Sequence, residues 1–366
     1  MPIRIAALNE TVDGERRVAL TPEVAGKLTC ADVQVWMERG AGIAAGFADD
    51  AYPDVQWGNA DEVAAQADVL FCVQPPPDAT ASRLHASAVL LGQLQPHGAE
   101  VRLAAWAERG LSAFALELLP RISRAQAMDV LSSQAAVAGY RAMLIAAQAC
   151  PKLFPMLTTA AGTLRPAKVL VIGAGVAGLQ AIATARRLGA QVEGYDVRAE
   201  TAEQVRSLGA KFLELGVTAG GSGGYARELS AAERDAQQQA LAEHLKSVDV
   251  VVTTAAVPGR RAPRILTAGM VEGMRRGAVI VDMAAPGGGN CELTHPGEHV
   301  EQDGKLVIGP LNLPAGAPLH ASEMYARNLM NFARLLLRDG ALSPDFDDEL
   351  VAATCLTHAG QVRFNT

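Results

Sequence analysis

The feature that most constrains the fold is a glycine-rich turn between an apolar strand and a helix. Residues 173–178 are Gly-Ala-Gly-Val-Ala-Gly, which matches the pattern G-x-G-x-x-G. The apolar segment Val169–Ile172 precedes this turn, and a helical pattern from Leu179 to Leu188 follows it. A strand, a tight glycine turn and a helix in this order begin a βαβ unit. The sequence therefore predicts a parallel sheet covered by helices.

Each glycine of the turn has a separate predicted role. Gly173 permits the tight turn, Gly175 lets backbone N–H groups approach a pyrophosphate, and Gly178 lets helix and strand pack closely. The phosphates then lie at a helix N-terminus, where free N–H groups and the helix dipole favour anions. The nucleotide-binding residues predicted for the turn and for the next strand end are Gly173, Gly175, Val176, Ala177, Gly178, Asp196, Val197 and Arg198.

Asp196 lies at the end of the second strand of this unit. A carboxylate there accepts hydrogen bonds from the adenosine ribose hydroxyls and repels a 2′-phosphate, which favours NAD(H) over NADP(H). Arg198 leaves alternatives open, because an arginine at this place can accommodate a 2′-phosphate, pair with Asp196 or point into solvent.

Apolar runs alternate with helical patterns on both sides of the motif. Ile3–Ala7 is a predicted strand, and Pro22 begins a predicted helix with Thr21 as its N-cap. Long helices are predicted over Ser133–Cys150 and Ala321–Leu337, and residues 346–364 suggest a small hairpin or tail.

This alternation predicts an α/β chain with two Rossmann-like, open parallel-sheet domains. The two long helices join these domains, and a cleft lies between them. The predicted first domain comprises residues 1–132 and 320–366, and the predicted NAD(H)-binding domain comprises residues 133–319.

Composition excludes several other classes of protein. The 366 residues include 32 Lys+Arg against 39 Asp+Glu, a formal net charge of −7, so nucleic acid is not a predicted partner. The five cysteines show no C-x-x-C spacing and the histidines no paired spacing, so no metal site is predicted. The N-terminus lacks a secretory apolar region, and no membrane span is predicted. These features predict a cytoplasmic protein.

Several long strings carry a resemblance to a known family. They are 121–134 (RISRAQAMDVLSSQ), 158–163 (TTAAGT), 173–189, 196–198 (DVR), 203–209 (EQVRSLG), 223–228 (GGYARE), 253–259 (TTAAVPG) and 288–291 (GGNC). In these strings the chain resembles the NAD(H)-binding components of proton-translocating nicotinamide nucleotide transhydrogenases, within the alanine dehydrogenase/transhydrogenase family. The resemblance covers nearly the whole chain and is weakest in the first hundred residues.

The resemblance implies functions for a charged segment of the first domain. It implies that Arg121 and Asp129 orient the carboxamide and ribose of NAD(H), with Ser132 near the nicotinamide ring. It also implies that Gln126 reaches toward a second nucleotide on a partner subunit. From its residue types alone, this segment is an ordinary charged helix start.

The resemblance extends the predicted cofactor site to three further residues, Thr253, Ala255 and Tyr225. Tyr225 directly follows the glycine-rich stretch 220–224 (GGSGG). Glycine hinges beside an amphipathic aromatic suit a mobile loop that closes on the cofactor or on a partner. The alternative is a surface aromatic on a flexible loop.

Several positions depart from the amino-acid dehydrogenases of the same family. Arg17 matches their substrate-binding arginine. Their lysine is missing, with Cys72 and Gln74 at the two candidate places, and their histidine is replaced by Gln95. The carboxylate before the Gly-Gly-Asn turn is replaced by Pro286, which leaves a diverged paralogue open. Three predicted proton-handling positions therefore lack a useful acid or base.

These features together predict the NAD(H)-binding subunit of a Re/Si-specific, proton-translocating transhydrogenase. Its predicted action is to position NADH for direct hydride transfer to NADP⁺ on a partner. The partners that the resemblance implies are an NADP(H)-binding beta subunit, a small membrane alpha subunit and a second copy of this chain. The protein is then peripheral to the inner membrane through those partners. The alternatives are an alanine dehydrogenase-like enzyme and a non-catalytic NAD-binding module.

Overall fold

The computed structural model describes residues 2–216, 221–222, 225–226, 230–256, 259–338 and 340–364. Up to residue 149 its strands and helices are β1 (Ile3–Ala7), α1 (Pro22–Leu28), β2 (Val33–Glu38), β3 (Val55–Gly58), α2 (Ala60–Gln66), β4 (Val69–Cys72), α3 (Asp78–Ala81), β5 (Val89–Gly92), α4 (Glu100–Glu108), β6 (Ser112–Ala115) and α5 (Val130–Ala149).

The middle of the chain contains β7 (Leu157–Thr159), β8 (Gly162–Leu164), β9 (Lys168–Ile172), α6 (Val176–Arg187), β10 (Gln191–Tyr195), α7 (Thr201–Ser207), β11 (Lys211–Phe212), β12 (Gly221–Ser222), β13 (Tyr225–Ala226), α8 (Ala231–Leu245), β14 (Val250–Thr253), α9 (Ala268–Gly273), β15 (Val279–Asp282), β16 (His299–Gln302) and β17 (Lys305–Ile308). The final segment contains α10 (Pro318–Leu336), β18 (Leu337–Arg338), β19 (Ala341–Leu342), α11 (Glu349–Thr354), β20 (Cys355–His358) and β21 (Gln361–Val362).

The chain divides into two compact units. Unit 1 comprises Met1–Gln134 and Pro314–Thr366, and unit 2 comprises Ala135–Leu313. The chain passes from unit 1 to unit 2 within α5. It returns at a short 3₁₀ segment, Leu313–Gly316, directly before α10. The second connection is therefore this 3₁₀ segment, whereas the sequence predicted the long helix itself.

Each unit is built on one large sheet. The sheet of unit 1 has the order β21-β20-β6-β5-β4-β1-β2-β3, and that of unit 2 has the order β11-β10-β9-β14-β15-β17-β16. Neighbouring strands are parallel except where β20 pairs with β6 and β21, and where β16 pairs with β17. The predicted class, α/β with two open sheets dominated by parallel strands, is confirmed.

The central strands are apolar along their whole length because both faces of each sheet are covered. In β9, Val169 and Val171 pack into one hydrophobic cluster, and Leu170 and Ile172 pack into another on the opposite face. Alternate side chains of a strand point to opposite faces, so a strand buried on both sides has no polar positions. This rule explains why these strands were predictable from the sequence.

Two helix starts differ from the sequence prediction. α5 begins at Val130, three residues before the predicted start at Ser133, because the Asp129 carboxylate accepts bonds from the backbone N–H and the hydroxyl of Ser132. At α1, Thr21 occupies the N-cap position, but its side chain makes no capping bond. α5 is long and apolar enough to cross a membrane, but half of it is buried in the protein, as in a core helix.

Candidate functional site

The glycine turn of unit 2 has the geometry that its sequence predicts. Gly173 follows β9 with a φ of +98°, and a Cβ there would lie 2.4 Å from Thr254 Oγ1. A Cβ on Gly178 would lie 1.8 Å from the Gly173 carbonyl oxygen, so only glycine lets α6 start this close to the strand. A Cβ on Gly175 would meet no described atom within 4 Å. The space beside Gly175 is therefore open.

The N-terminus of α6 lies directly after that open space. The Leu179 N–H donates to the Gly175 carbonyl at 2.8 Å and closes the first helical turn. The N–H groups of a first turn, here those of Val176, Ala177 and Gly178, have no partners inside the helix. With the helix dipole they favour an anion, and both Gly175 and Val176 are exposed. The open cradle and its donors fit the pyrophosphate of a dinucleotide.

Asp196, at the end of β10, forms a closed ion pair with Arg198. The guanidinium donates through Nε and Nη2 to the two carboxylate oxygens, both at 2.9 Å. The backbone N–H groups of Ala174 and Arg198 also donate to these oxygens, at 2.8 and 2.9 Å. Burial alone would raise the pKa of Asp196, but Arg198 and the backbone donors lower it, so the carboxylate is ionised. Of the alternatives left open for Arg198, the structure shows pairing with Asp196.

This pairing sets a condition for ribose binding. Asp196 is only 9% exposed, and each of its oxygens already accepts two hydrogen bonds. A ribose hydroxyl that bonds to Asp196 must share an oxygen with Arg198 or displace the guanidinium. Val197, between them, is partly buried against an apolar cluster.

The loop after β14 contains the two predicted residues Thr253 and Ala255. Thr253 is fully buried, and its hydroxyl donates to Asp282 at 2.9 Å, so its side chain supports the sheet edge from within. The Thr254 hydroxyl donates to the Gly173 carbonyl at 3.1 Å. The backbone N–H and carbonyl of Ala255 both bond to the Asn290 side chain. Direct contact of Thr253 and Ala255 with a cofactor stays a prediction.

The charged segment 121–132 lies in unit 1. Arg121 and Gln126 are exposed, and Asp129 and Ser132 form the N-terminal cap of α5. The side chains of Asn328 and Asn331, on α10, fasten the segment by donating to the Ala127 carbonyl at 2.9 and 3.0 Å. The segment is therefore a surface turn that is anchored from beneath, and its role toward a nucleotide stays a prediction.

The predicted lid falls mostly outside the described residues. Residues 220, 223 and 224 of the glycine stretch and residues 257 and 258 lie outside them. Tyr225 is described only in its backbone, which pairs with Ser222 in the hairpin of β12 and β13. The predicted closing role of its side chain stays a prediction.

The carboxyl edge of the sheet in unit 1 is closed by internal hydrogen bonds. Gln95 Nε2 donates to Gln74 Oε1 at 2.8 Å, and Gln74 Nε2 donates to Glu15 Oε2 at 2.9 Å. The Glu10 carboxylate accepts from the backbone N–H groups of Val73 and Gln74 at 2.6 and 3.1 Å. Burial raises the pKa of Glu10 to about 7 despite these bonds. The two glutamines thus satisfy each other where the dehydrogenase pattern has proton-handling groups.

Arg17 is also engaged within this edge. Its Nε and Nη2 donate to the Glu15 oxygens at 2.8 and 2.6 Å, and its Nη1 donates to Gln134 Oε1 at 2.9 Å. Burial tends to raise the pKa of Glu15, but Arg17 lowers it to about 2, so the pair is ionic. The cation that matches a substrate-binding arginine is therefore neutralised from within.

Sequence reasoning missed Asp282 and Asn290, which organise the edge of unit 2. Asp282 ends β15, a strand with every residue buried, and Asn290 follows the 287–289 glycines. An acidic residue at the end of a fully apolar strand, just before a glycine turn, was the available signal. Pro286 lies in a short 3₁₀ helix, Ala285–Gly287, inside this turn. Among the described residues, no group of three or more His, Cys, Asp or Glu is arranged to hold a metal.

The chain belongs to the alanine dehydrogenase/PNT family. The N-terminal domain of that family, "Alanine dehydrogenase/PNT, N-terminal domain", matches residues 6–138. The corresponding C-terminal domain matches residues 142–365, so the two together span nearly the whole chain.

Within this family, the chain shows strong similarity to transhydrogenase subunits. It is 42% identical to the first of the separate polypeptides that make up the NAD(P) transhydrogenase alpha subunit of Rhodospirillum rubrum, over 98% of this chain and 97% of that protein. It is 43% identical to the protein of the same name from Rickettsia prowazekii, over 98% and 96%. The predicted family membership is confirmed.

Solved structures show the same order of similarity. The crystal structure of a transhydrogenase from Sinorhizobium meliloti matches with a TM-score of 0.90 and 42% identity, over 98% of this chain and 99% of that one. An L-alanine dehydrogenase matches with a TM-score of 0.81 and 26% identity, over 98% and 96%. The chain is therefore a transhydrogenase-type member of the family.

Proposed function

We propose that this chain is the NAD(H)-binding subunit of a proton-translocating transhydrogenase. In this proposal it positions NADH for direct hydride transfer to NADP⁺ on a partner subunit. The observation that carries the reaction class is the 2.8 Å bond between Gln95 Nε2 and Gln74 Oε1. A dehydrogenase that reduces an imine needs titratable groups there, whereas two amides neither donate nor remove a proton near neutral pH.

Unit 2 supplies the dinucleotide site in this proposal. The cofactor is NAD(H), and its pyrophosphate lies at Gly175 and the first turn of α6, where Val176, Ala177 and Gly178 offer N–H groups. Asp196 accepts from the adenosine ribose and disfavours a 2′-phosphate. The open space at Gly175 and the ionised Asp196 support this placement.

The other half of the site is the segment of unit 1 that carries Arg121, Gln126, Asp129 and Ser132. Arg121 and Asp129 orient the carboxamide and ribose at the reactive end of the cofactor, with Ser132 beside them, and Gln126 points toward the partner. The bonds from Asn328 and Asn331 support this role, because an anchored surface turn presents exposed side chains with little conformational freedom.

When bound, NADH supplies a hydride from C4 of its nicotinamide ring. The residues of this chain then bind, orient and exclude water, and they move no proton. Hydride transfer between two rings needs the reacting carbons within about 3–3.5 Å, so positioning is the main contribution of the protein. Proton translocation belongs to the membrane partners in this scheme.

The proposed partners follow from the subunit names of the relatives. A relative whose name makes it one piece of a divided alpha subunit implies further pieces, and we assign an NADP(H)-binding beta subunit and a small membrane alpha subunit to the remaining polypeptides. A homodimer of this chain completes the assembly. The chain is then cytoplasmic and attached to the inner membrane through its partners.

The test is reconstitution. The chain is mixed with an NADP(H)-binding transhydrogenase subunit, and NADH-dependent reduction of NADP⁺ is followed. We expect turnover in the mixture and none with either component alone. Absence of turnover together with intact NADH binding would support a non-catalytic NAD-binding module instead.

A parallel assay separates the dehydrogenase alternative. The isolated chain is given NADH, pyruvate and ammonia, and the loss of NADH absorbance is measured. We expect no oxidation, because the Gln74–Gln95 pair replaces the acid and base and Glu15 neutralises Arg17. Turnover in this assay would assign the chain to the amino-acid dehydrogenases.

A further inference from the structure

A buried carboxylate organises the turn after β15. Asp282 is fully buried, and its two oxygens accept five hydrogen bonds. The donors are Thr253 Oγ1 (2.9 Å), Ala284 N (3.0 Å), Asn290 N (2.7 Å), Cys291 N (3.0 Å) and Thr294 Oγ1 (2.6 Å). A buried ionisable group needs such a complete set of donors. Asp282 therefore fixes the path of the chain from residue 284 to residue 294.

One glycine shows how closely this turn surrounds the carboxylate. Gly289 has a φ of +83°, and a Cβ there would lie 2.7 Å from Asp282 Oδ2 and 2.8 Å from Thr294. Only glycine lets the backbone pass at this distance and aim the next two N–H groups at the same oxygen. Pro286 makes none of these contacts, so its replacement of an acidic residue leaves the turn intact.

The turn places Asn290 against the loop that follows β14. The fully buried Asn290 donates through Nδ2 to the carbonyls of Ala255 and Pro263, at 2.7 and 2.8 Å. Its Oδ1 accepts from the Ala255 N–H at 3.1 Å. One side chain thus ties together the two ends of the 255–263 loop.

The same loop borders the glycine turn. Thr254, next to Ala255, donates its hydroxyl to the carbonyls of Ile172 and Gly173, at 3.3 and 3.1 Å. The strands β9 and β14 are neighbours at the point where the strand order reverses, which is where open parallel sheets bind ligands. A chain of hydrogen bonds therefore runs from Asp282 through Asn290 and the β14 loop to the dinucleotide turn.

We infer that Asp282 and Asn290 are positioning residues for cofactor binding. Asp282 sets the turn, and Asn290 holds the loop after β14 in place beside the glycine turn, so that the site is formed before the cofactor arrives. This inference rests on the proposed function, because it requires NAD(H) to bind where β9 and β14 end. Preformed sites bind more tightly because ordering the loop costs nothing at binding.

The main test is the variant Asn290→Ala in the full chain. NADH binding is titrated by the fluorescence of the bound nucleotide, at a temperature where circular dichroism shows the variant folded. Loss of the amide frees Ala255 and Pro263 from their shared partner, and the dissociation constant for NADH should rise about tenfold. The variant Asp282→Asn, which puts an amine among five donors, should act in the same direction.

Asp249→Asn is the matched control. Asp249 is also a buried aspartate of unit 2, but it precedes β14 at the opposite, amino edge of the sheet. It bonds there to Lys152, Arg275 and the Lys168 N–H, at 2.8, 3.1 and 2.8 Å. This variant should lower the melting temperature while the dissociation constant for NADH stays within about twofold of the wild type.

A milder variant covers the case in which Asn290→Ala does not fold. Thr253→Val keeps the shape of the side chain and removes one bond to Asp282, and it should raise the dissociation constant about threefold. Normal NADH binding by folded Asn290→Ala or Thr253→Val, or an equal rise in Asp249→Asn, would overturn the inference. A wild-type chain that binds no NADH would instead overturn the proposed function.

Discussion

The two sheets share one strand order but treat the same position in opposite ways. In unit 1 the order reverses between β1 and β4, and in unit 2 it reverses between β9 and β14. In unit 1 the chain after the first strand brings Glu10, whose carboxylate binds the N–H groups of Val73 and Gln74 across the gap. In unit 2 the chain after the first strand is the glycine turn, and the space at Gly175 is open.

This comparison separates two contributions to a binding site. The order of the strands determines where backbone groups converge, and it is the same in both units. The residue type after the first strand determines whether those groups are used internally or left for a ligand. A carboxylate consumes the donors in unit 1, whereas glycine leaves them accessible in unit 2.

The largest predicted effect comes from opening the closed edge. Arg17→Met removes the partner of Glu15, whose side chain is fully buried, and leaves an unpaired charge. We expect the free energy of unfolding to fall by about 4 kcal/mol. Chemical denaturation measures this loss, and NADH affinity should not change. Lys27→Met breaks the exposed Lys27–Glu23 pair and should have no measurable effect. A large loss of NADH affinity in Arg17→Met would show that the closed edge also serves binding.

The same edge should make stability depend on pH. The pKa of Glu10 is raised from 4.5 to about 7, so between these values the folded state holds a proton that the unfolded state has released. Stability is therefore full below about pH 4.5 and falls as the pH rises to about 7, by up to about 3 kcal/mol. Unfolding free energies measured from pH 5 to 8 should show this fall.

Glu10→Gln tests the assignment, because the amide carries no ionisable proton. In this variant the dependence between pH 5 and 7 should be much flatter. An unchanged slope would assign the dependence to another group, such as Glu117, whose pKa is also raised by burial.

A pair of glycine variants tests the open edge. Gly178→Ala forces a Cβ against the Gly173 carbonyl and should cost about 2 kcal/mol of stability. Gly175→Ala meets no described atom and should leave the melting temperature unchanged, while NADH binding weakens about tenfold because the methyl group enters the pyrophosphate space. Equal NADH binding by Gly175→Ala and wild type would contradict the placement of the pyrophosphate.

The smallest effect is expected at the ribose end. Asp196→Ala removes the predicted ribose acceptor and releases Arg198, so NADH should bind several-fold more weakly, by about 1 kcal/mol, and NADPH less weakly than before. Titration with both nucleotides measures the ratio. Preference for NADH that survives in Asp196→Ala would transfer the discrimination to another residue.

Strand prediction succeeded where burial is two-sided and failed where it is absent. β1, β9 and β10 have the predicted bounds because each is a short run bounded by polar residues or glycine. The hairpin of β7 and β8 was missed because all of its residues are exposed, so its sequence shows no alternation. β16 was missed for a related reason, since its residues are only exposed or half-buried.

The sequence by itself determined the dinucleotide turn, because a glycine spacing acts through local backbone geometry within six residues. It also determined that unit 1 lacks an acid and base, because amides at residues 74 and 95 do not titrate wherever they point. Only the tertiary structure decided that those amides bond to each other, and that Asn290 holds Ala255, 35 residues away in the chain. Such hydrogen bonds depend on how strands are brought side by side, and no periodicity in the sequence records which polar groups then meet.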